Sequence, residues 1–257
     1  MKIRVPSLMI VILALSGCVV EAPGDNVSSN LGPVAAIKPV ALEEMQADQV
    51  TASDVINRSK SQVTRTGEIY MMRGLADVFS RGIDEMATKL RGDGYDAANF
   101  SYRLWPKIAE DVVSRASRKK VSYPVIIIGH SLGANESSKF ANYLTSNNVK
   151  VDLVVAFDPV ETGSITKGVK KVVNYYLPKS EDIRIGSSTK AEDNTIHARN
   201  DFDGVLNNID VSSDPTITHL NIDKHLPYQT ATLSNIKDLT RTRKRPSRTK
   251  HATGDGR

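Results

Sequence analysis

The chain has 257 residues, 40% of them hydrophobic and 25% charged, with one cysteine and a formal net charge of +5. That length fits one domain with tails and a sizeable core, and a lone cysteine excludes an internal disulfide framework. The positive charge belongs to the C-terminal end: residues 241–257 carry seven Lys/Arg against one Asp, the rest of the chain is close to neutral at −1, and composition gives no sign of a nucleic-acid-binding surface.

At the N-terminus, Lys2 and Arg4 precede a short apolar run, residues 8–15, too short for a permanent membrane-spanning helix. Leu15-Ser16-Gly17-Cys18 follows. Small residues ahead of a cysteine suit a signal-peptidase cut, and the four residues resemble the lipobox of bacterial lipoproteins. The resemblance implies that residues 1–17 are a lipoprotein signal peptide and that Cys18 is acylated, which anchors a protein at a membrane without a transmembrane helix. Val19 comes next in place of an aspartate retention signal, so the expected location is the bacterial cell envelope, at the periplasmic face of an outer membrane where the source has two membranes. Residues 18–65, dotted with Pro, Gly, Asn and Ser, read as a tether, with room for one short helix within 41–56.

Regular structure is expected over 66–240. Residues 69–72 read as a central strand ending at Arg73-Gly74. Ile83, Met86, Ala87 and Leu90 fall at helical spacing. A polar strand spans 96–102, and Trp105-Pro106 opens a helix with Ile108, Val112, Val113 and Ala116 on one face. Arg115, Arg118, Lys119 and Lys120 close that helix and read as a solvated end that suits its dipole. Four branched apolar residues, 125–128, form a strand buried on both faces, and a helix follows with Phe140, Ala141 and Leu144, stopping near Asn147-Asn148. Residues 151–157 and 172–177 are two more strands. The stretch 179–201 is polar and irregular, a lid, an insertion or a long loop. Residues 205–211 are the last strand, 226–239 a closing helix, and 241–257 a basic disordered tail. Strands and helices in alternation predict an α/β fold, a mostly parallel sheet with helices on both faces, with functional groups at the carboxyl ends of the strands.

The buried strand at 125–128 runs straight into Gly129-His130-Ser131-Leu132-Gly133, which fits G-x-S-x-G. A serine on a tight strand-to-helix turn has its hydroxyl raised above the sheet edge, and the glycines remove side chains where strand and helix converge. Gly129–Gly133 and their flanks resemble the serine hydrolases of the α/β-hydrolase fold, especially lipases and esterases. A serine hydroxyl needs a histidine to take its proton and a carboxylate to orient that histidine. The fold orders these Ser, Asp, His, and Asp158 stands at the end of a buried strand, before Pro159, a position that resembles the acid of pancreatic-type lipases. Asp182 and Asp193 are alternatives from the next loop.

Five histidines compete for the base. His130 lies inside the elbow and is expected to point away. His251 is in the tail, and His197 precedes the last strand. His219 and His225 both follow that strand, with His219 preferred because its loop can move toward the serine. Leu132, directly after the serine, is the first expected oxyanion donor. A second comes from the loop opened by Gly74, at Leu75 or Ala76.

The expected activity is cleavage of a carboxylic ester or thioester through an acyl-enzyme on Ser131, with no cofactor and no metal. A non-catalytic envelope lipoprotein using the same fold as a binding or scaffold module is the alternative. Transfer of the acyl group to an acceptor other than water would use the same residues.

Overall fold

A computed structural model describes residues 50–75, 80–178 and 194–242. Its centre is a six-stranded, fully parallel sheet in the order β2-β1-β3-β4-β6-β8. The strands are β1 (Glu68–Arg73), β2 (Ala97–Ser101), β3 (Val125–His130), β4 (Leu153–Phe157), β6 (Lys171–Tyr176) and β8 (Val205–Asp210). Two three-residue strands, β5 (Gly163–Ile165) and β7 (Ile196–Ala198), pair in parallel as a separate ribbon.

Helices cover both faces, as a parallel sheet requires. Every residue of β3 is buried, and its side chains divide by the period of two. Val125 and Ile127 pack toward α3 (Trp105–Ser117) and α4 (Leu132–Ser146), while Ile126 and Ile128 pack toward α2 (Arg81–Gly92) and α5 (Leu226–Leu239). Tyr70 and Met72 of β1 face the first layer, Ile69 and Met71 the second.

The order of strands reverses at β1, which sits between β2 and β3. The chain crosses to one side for β2 and to the other for β3, so the loops leaving β1 and β3 diverge and leave a crevice at their carboxyl ends. The register places Met72 beside Gly129, His130 beside Phe157, and Phe157 beside Tyr175. The residues that follow these strand ends therefore share one edge of the sheet.

Four boundaries and readings differ from expectation. The short helix expected within 41–56 is α1 (Ala52–Ile56), capped by Thr51 and Asp54, but it belongs to the domain rather than to a tether, with Ala52 and Val55 buried in the core. Arg58 and Lys60 then hold Asp96 at 2.7 and 2.8 Å, so this segment is fastened to the domain by charge as well as by apolar contact. At the other end, residues 241–242 belong to the domain. Thr66 N–H donates to the Arg241 carbonyl at 2.8 Å, and Arg65 bridges Thr242. Arg115, expected in a solvated helix end, instead contacts Glu68 at 2.8 Å and the Tyr70 hydroxyl at 2.9 Å, neutralising a carboxylate buried at the start of β1. Strand β7 lies inside the stretch expected to be irregular. Its apolar anchor is Ile196 alone, too short a signal for any periodicity.

Among the described residues, no helix is long and apolar enough to cross a membrane.

Candidate active site

The turn from β3 to α4 is strained and closely packed. Ser131 has φ 58 and ψ −124, a conformation that costs a non-glycine residue free energy and persists only where its surroundings over-determine it. They do. Ser131 N–H donates to the Phe157 carbonyl at 3.0 Å, and its own carbonyl accepts from Ala134 and Asn135 in the first turn of α4. A Cβ on Gly129 would sit 2.1 Å from the Gly133 carbonyl oxygen, and one on Gly133 would sit 2.4 Å from that of Met72. Both glycines are thus demanded by backbone contact. Leu132 is the first residue of α4, where N–H groups have no intrahelical partner and the helix dipole is positive.

Asp158 follows β4 at a second strained position, φ 48. Its N–H donates to the Tyr175 carbonyl at 2.8 Å, which aims the side chain across the sheet edge. Oδ1 accepts from Leu177 N–H at 3.0 Å and from Asn194 Nδ2 at 2.9 Å. Oδ2 lies 2.7 Å from Nδ1 of His219, and Nε2 of His219 lies 2.9 Å from Ser131 Oγ. A carboxylate can only accept, so His219 carries its proton on Nδ1 and leaves Nε2 free to accept from the serine hydroxyl. All three side chains are buried, with residue exposures of 5 to 6%. The structure therefore brings Ser131, Asp158 and His219 into one hydrogen-bonded row.

The other expected residues fall differently. Gly74 comes against the serine, because a Cβ there would lie 2.8 Å from Ser131 Cβ and 3.3 Å from its Oγ. Gly74 N–H is committed to Ser80 Oγ at 2.8 Å and so is already satisfied. Leu75 is exposed, on the turn directly after this close approach. Ala76, Asp182, Asp193, His251 and Cys18 lie outside the described residues. His225 caps the start of α5, packs against the Tyr228 ring at 4.4 Å, and has Nε2 3.7 Å from Asp214. His197 is exposed on β7 with Nε2 3.2 Å from Thr195 Oγ1.

His130 departs from expectation. It was expected to point away from the site, yet Nε2 lies 2.8 Å from the His219 carbonyl and Nδ1 lies 2.9 Å from Ser80 Oγ. Burial pushes this ring down to about 4, so it is neutral at ordinary pH.

Three asparagines escaped sequence reasoning. Asn194 bridges Asp158 Oδ1 and the Leu177 carbonyl. Asn174, fully buried in β6, donates to the Asn194 carbonyl at 3.1 Å and to Asn208 Oδ1 at 2.9 Å. Asn208 in turn holds both backbone groups of Ile196. A polar residue in the middle of the apolar run Val172-Val173-Asn174-Tyr175 was the available signal, since a buried amide needs partners.

No protein-family model matches the sequence, and no curated protein matches it. The chain is similar in structure to the NocB thioesterase domain of the nocardicin cluster, at 11% identity over 70% of this chain and 96% of that one, with a TM-score of 0.38. It is similar also to SrfTE, the thioesterase domain that cyclises the lipopeptide antibiotic surfactin, at 10% identity over 72% and 97%, again with a TM-score of 0.38. At this distance their chemistry does not transfer, and the site has to be read from its own geometry.

Proposed function

We propose that this protein is a serine hydrolase that cleaves a carboxylic ester or thioester through an acyl-enzyme on Ser131. The observation that supports it is the unbroken row Ser131 Oγ, His219 Nε2, His219 Nδ1, Asp158 Oδ2 at 2.9 and 2.7 Å.

Each group has one task. His219 Nε2 takes the hydroxyl proton as Ser131 Oγ bonds to the substrate carbonyl carbon. The carbonyl oxygen becomes an oxyanion, held by the N–H of Leu132 and an N–H from the loop at Leu75. The intermediate collapses, the bond to the leaving oxygen or sulfur breaks, and His219 returns the proton to that atom. Water then enters, gives its proton to His219 and attacks the acyl carbon. Collapse breaks the bond to Ser131 Oγ and releases the acid, and His219 returns that proton to Oγ. Asp158 stays ionised throughout, holding Nδ1–H and stabilising the imidazolium. Leu177 N–H and Asn194 fix the carboxylate through its other oxygen, so it cannot rotate away.

The same proposal places the protein in the bacterial envelope, with acylated Cys18 as its anchor and residues beyond it as a tether. The residues Leu15-Ser16-Gly17-Cys18 support this part, and the triad is independent of it.

The deciding experiment is labelling with a fluorophosphonate, which reacts only with an activated serine. Labelling of wild type at Ser131, lost in Ser131→Ala, is expected. A folded wild type that takes no label and turns over no p-nitrophenyl ester refutes catalysis and leaves the scaffold reading.

A further inference from the structure

Three separate stretches meet at Ser131: the elbow itself, the backbone of Gly74 at the end of β1, and the loop that carries His219. The triad fixes only the orientation of the His219 ring. The backbone of that loop, and its spacing from the Gly74 loop, are held by something else.

We propose that His130 is a positioning residue, tying the His219 loop to the Gly74 loop through the His219 carbonyl on one ring nitrogen and Ser80 on the other. It rests on the acyl chemistry proposed for Ser131. The direction of each hydrogen bond follows from the end of the row. A carbonyl oxygen only accepts, so His130 Nε2 carries a proton and donates it to His219 at 2.8 Å. In the neutral ring Nδ1 then accepts, and the Ser80 hydroxyl donates to it at 2.9 Å. Ser80 Oγ is left to accept Gly74 N–H at 2.8 Å. Nothing in this row is in conflict, and His130 and Ser80 are 1 and 0% exposed, so no water competes for their bonds.

The charge state fits the task. Burial is the main cause of the low His130 value, the neighbouring His219 and Lys224 push the same way, and Asp158 and the His219 carbonyl pull against them. The ring of His130 is neutral at ordinary pH, so it does not compete with His219 for the serine proton although the ring centroids are 5.2 Å apart. The loop that carries the base and the loop beside the serine thereby share one buried tie. Gly74 N–H is also held by Ser80.

A histidine that merely filled space would predict a different outcome from one that positions. His130→Phe keeps a ring and removes both bonds. Ser80→Ala removes two bonds, the one to His130 and the one from Gly74 N–H, with little change of volume. His130→Gln keeps a donor for the His219 carbonyl. Turnover of p-nitrophenyl butyrate is measured per active site, with sites counted by fluorophosphonate labelling. A tie to a backbone group next to the base predicts that His130→Phe loses about 10- to 100-fold in kcat with KM little changed. His130→Gln should recover most of that loss. Ser80→Ala should lose about tenfold, and the double variant His130→Phe with Ser80→Ala should lose less than the product of the two single losses, because both substitutions remove the same Ser80–His130 bond. Unchanged kcat in folded His130→Phe, or losses that multiply in full in the double variant, overturns the proposal. Where His130→Phe does not fold, Ser80→Ala decides, and wild-type kcat there overturns it. An unlabelled wild type overturns the acyl reading and this one together. A labelled wild type with unmoved variants overturns this one alone.

Discussion

The backbone of Gly74 passes so near Ser131 that a methyl group on residue 74 would lie 2.8 Å from the serine Cβ and 3.1 Å from the His130 carbonyl oxygen. Neither neighbour is the far end of a flexible side chain, so the turn itself has to move. Gly74→Ala is therefore expected to shift the serine relative to His219. A displacement near 1 Å at a reacting group costs about 100-fold in rate. The measurement is kcat/KM on a p-nitrophenyl ester beside a thermal melt, and a folded Gly74→Ala enzyme with wild-type kcat/KM contradicts the contact.

Losing the base should cost nearly as much as losing the nucleophile, because the two act as one unit. Ser131→Ala and His219→Ala are each expected to drop turnover by about 10⁴- to 10⁶-fold. His225, at the start of α5 against Tyr228, is outside the row, and His225→Ala should stay within about tenfold of wild type. Steady-state kinetics on the three variants decides it, and the reverse ranking of the two histidines would refute the assignment of His219.

Asn194 donates to the oxygen of Asp158 that His219 does not use, at 2.9 Å, and the site is buried. Asn194→Ala leaves Leu177 N–H as the remaining donor shown to that oxygen. Removing a hydrogen bond to a charged group costs about 1.5–3 kcal/mol, which sets the expected loss at about 10- to 100-fold in kcat. An Asn194→Ala enzyme with wild-type kcat shows that Asp158 needs no second restraint.

Two buried groups pull stability in opposite directions with pH. His130 titrates at about 4 in the fold against an ordinary 6.5, so the unfolded chain takes its proton first and stability is lost as pH falls from 6.5 to 4. Asp223, fully buried with Oδ2 3.2 Å from Ile83 N, is pushed up by burial to about 6 from 3.8. Here the folded state takes the proton first, and the stabilisation, full below 3.8, is lost as pH rises through 6. Each shift corresponds to about 3 kcal/mol, so between pH 4 and 6 the two slopes nearly cancel. Asp223→Asn should uncover the histidine, with melting temperature falling from pH 6.5 to 4 more steeply than in wild type. His130→Phe should do the opposite. Thermal melts across this range test both, and profiles parallel to wild type speak against the assignment.

For the anchor, Cys18→Ser is expected to leave an uncleaved or soluble form, while wild type partitions into detergent. Equal partitioning of the two in a detergent phase separation means that Cys18 carries no acyl group.

The sheet and its elbow were legible because their causes are local. Val125-Ile126-Ile127-Ile128 can only be a strand buried on both faces, and the glycines two residues either side of Ser131 answer contacts made within the turn and with the strand beside it. The carboxyl end of β4 follows from the same apolar run that ends at Asp158. The ribbon β5–β7 was not legible, since each strand has three residues and one buried isoleucine, Ile165 or Ile196.

By itself, then, the chain determined a parallel α/β sheet, a serine on a strained turn and an aspartate at the same edge, because strand burial and turn packing are written in neighbouring residues. Only the tertiary structure set His219 rather than His225 against Ser131, turned His130 inward, and delivered Asn194 to Asp158. The physical reason is separation. Ser131 and His219 are 88 residues apart, His219 and Asp158 are 61 apart, and Asn194 and Asp158 are 36 apart. A loop histidine or asparagine leaves no periodic trace in the sequence. Which one reaches the serine or the aspartate is set by where the sheet order reverses and by which backbone carbonyls and N–H groups the neighbouring loops present.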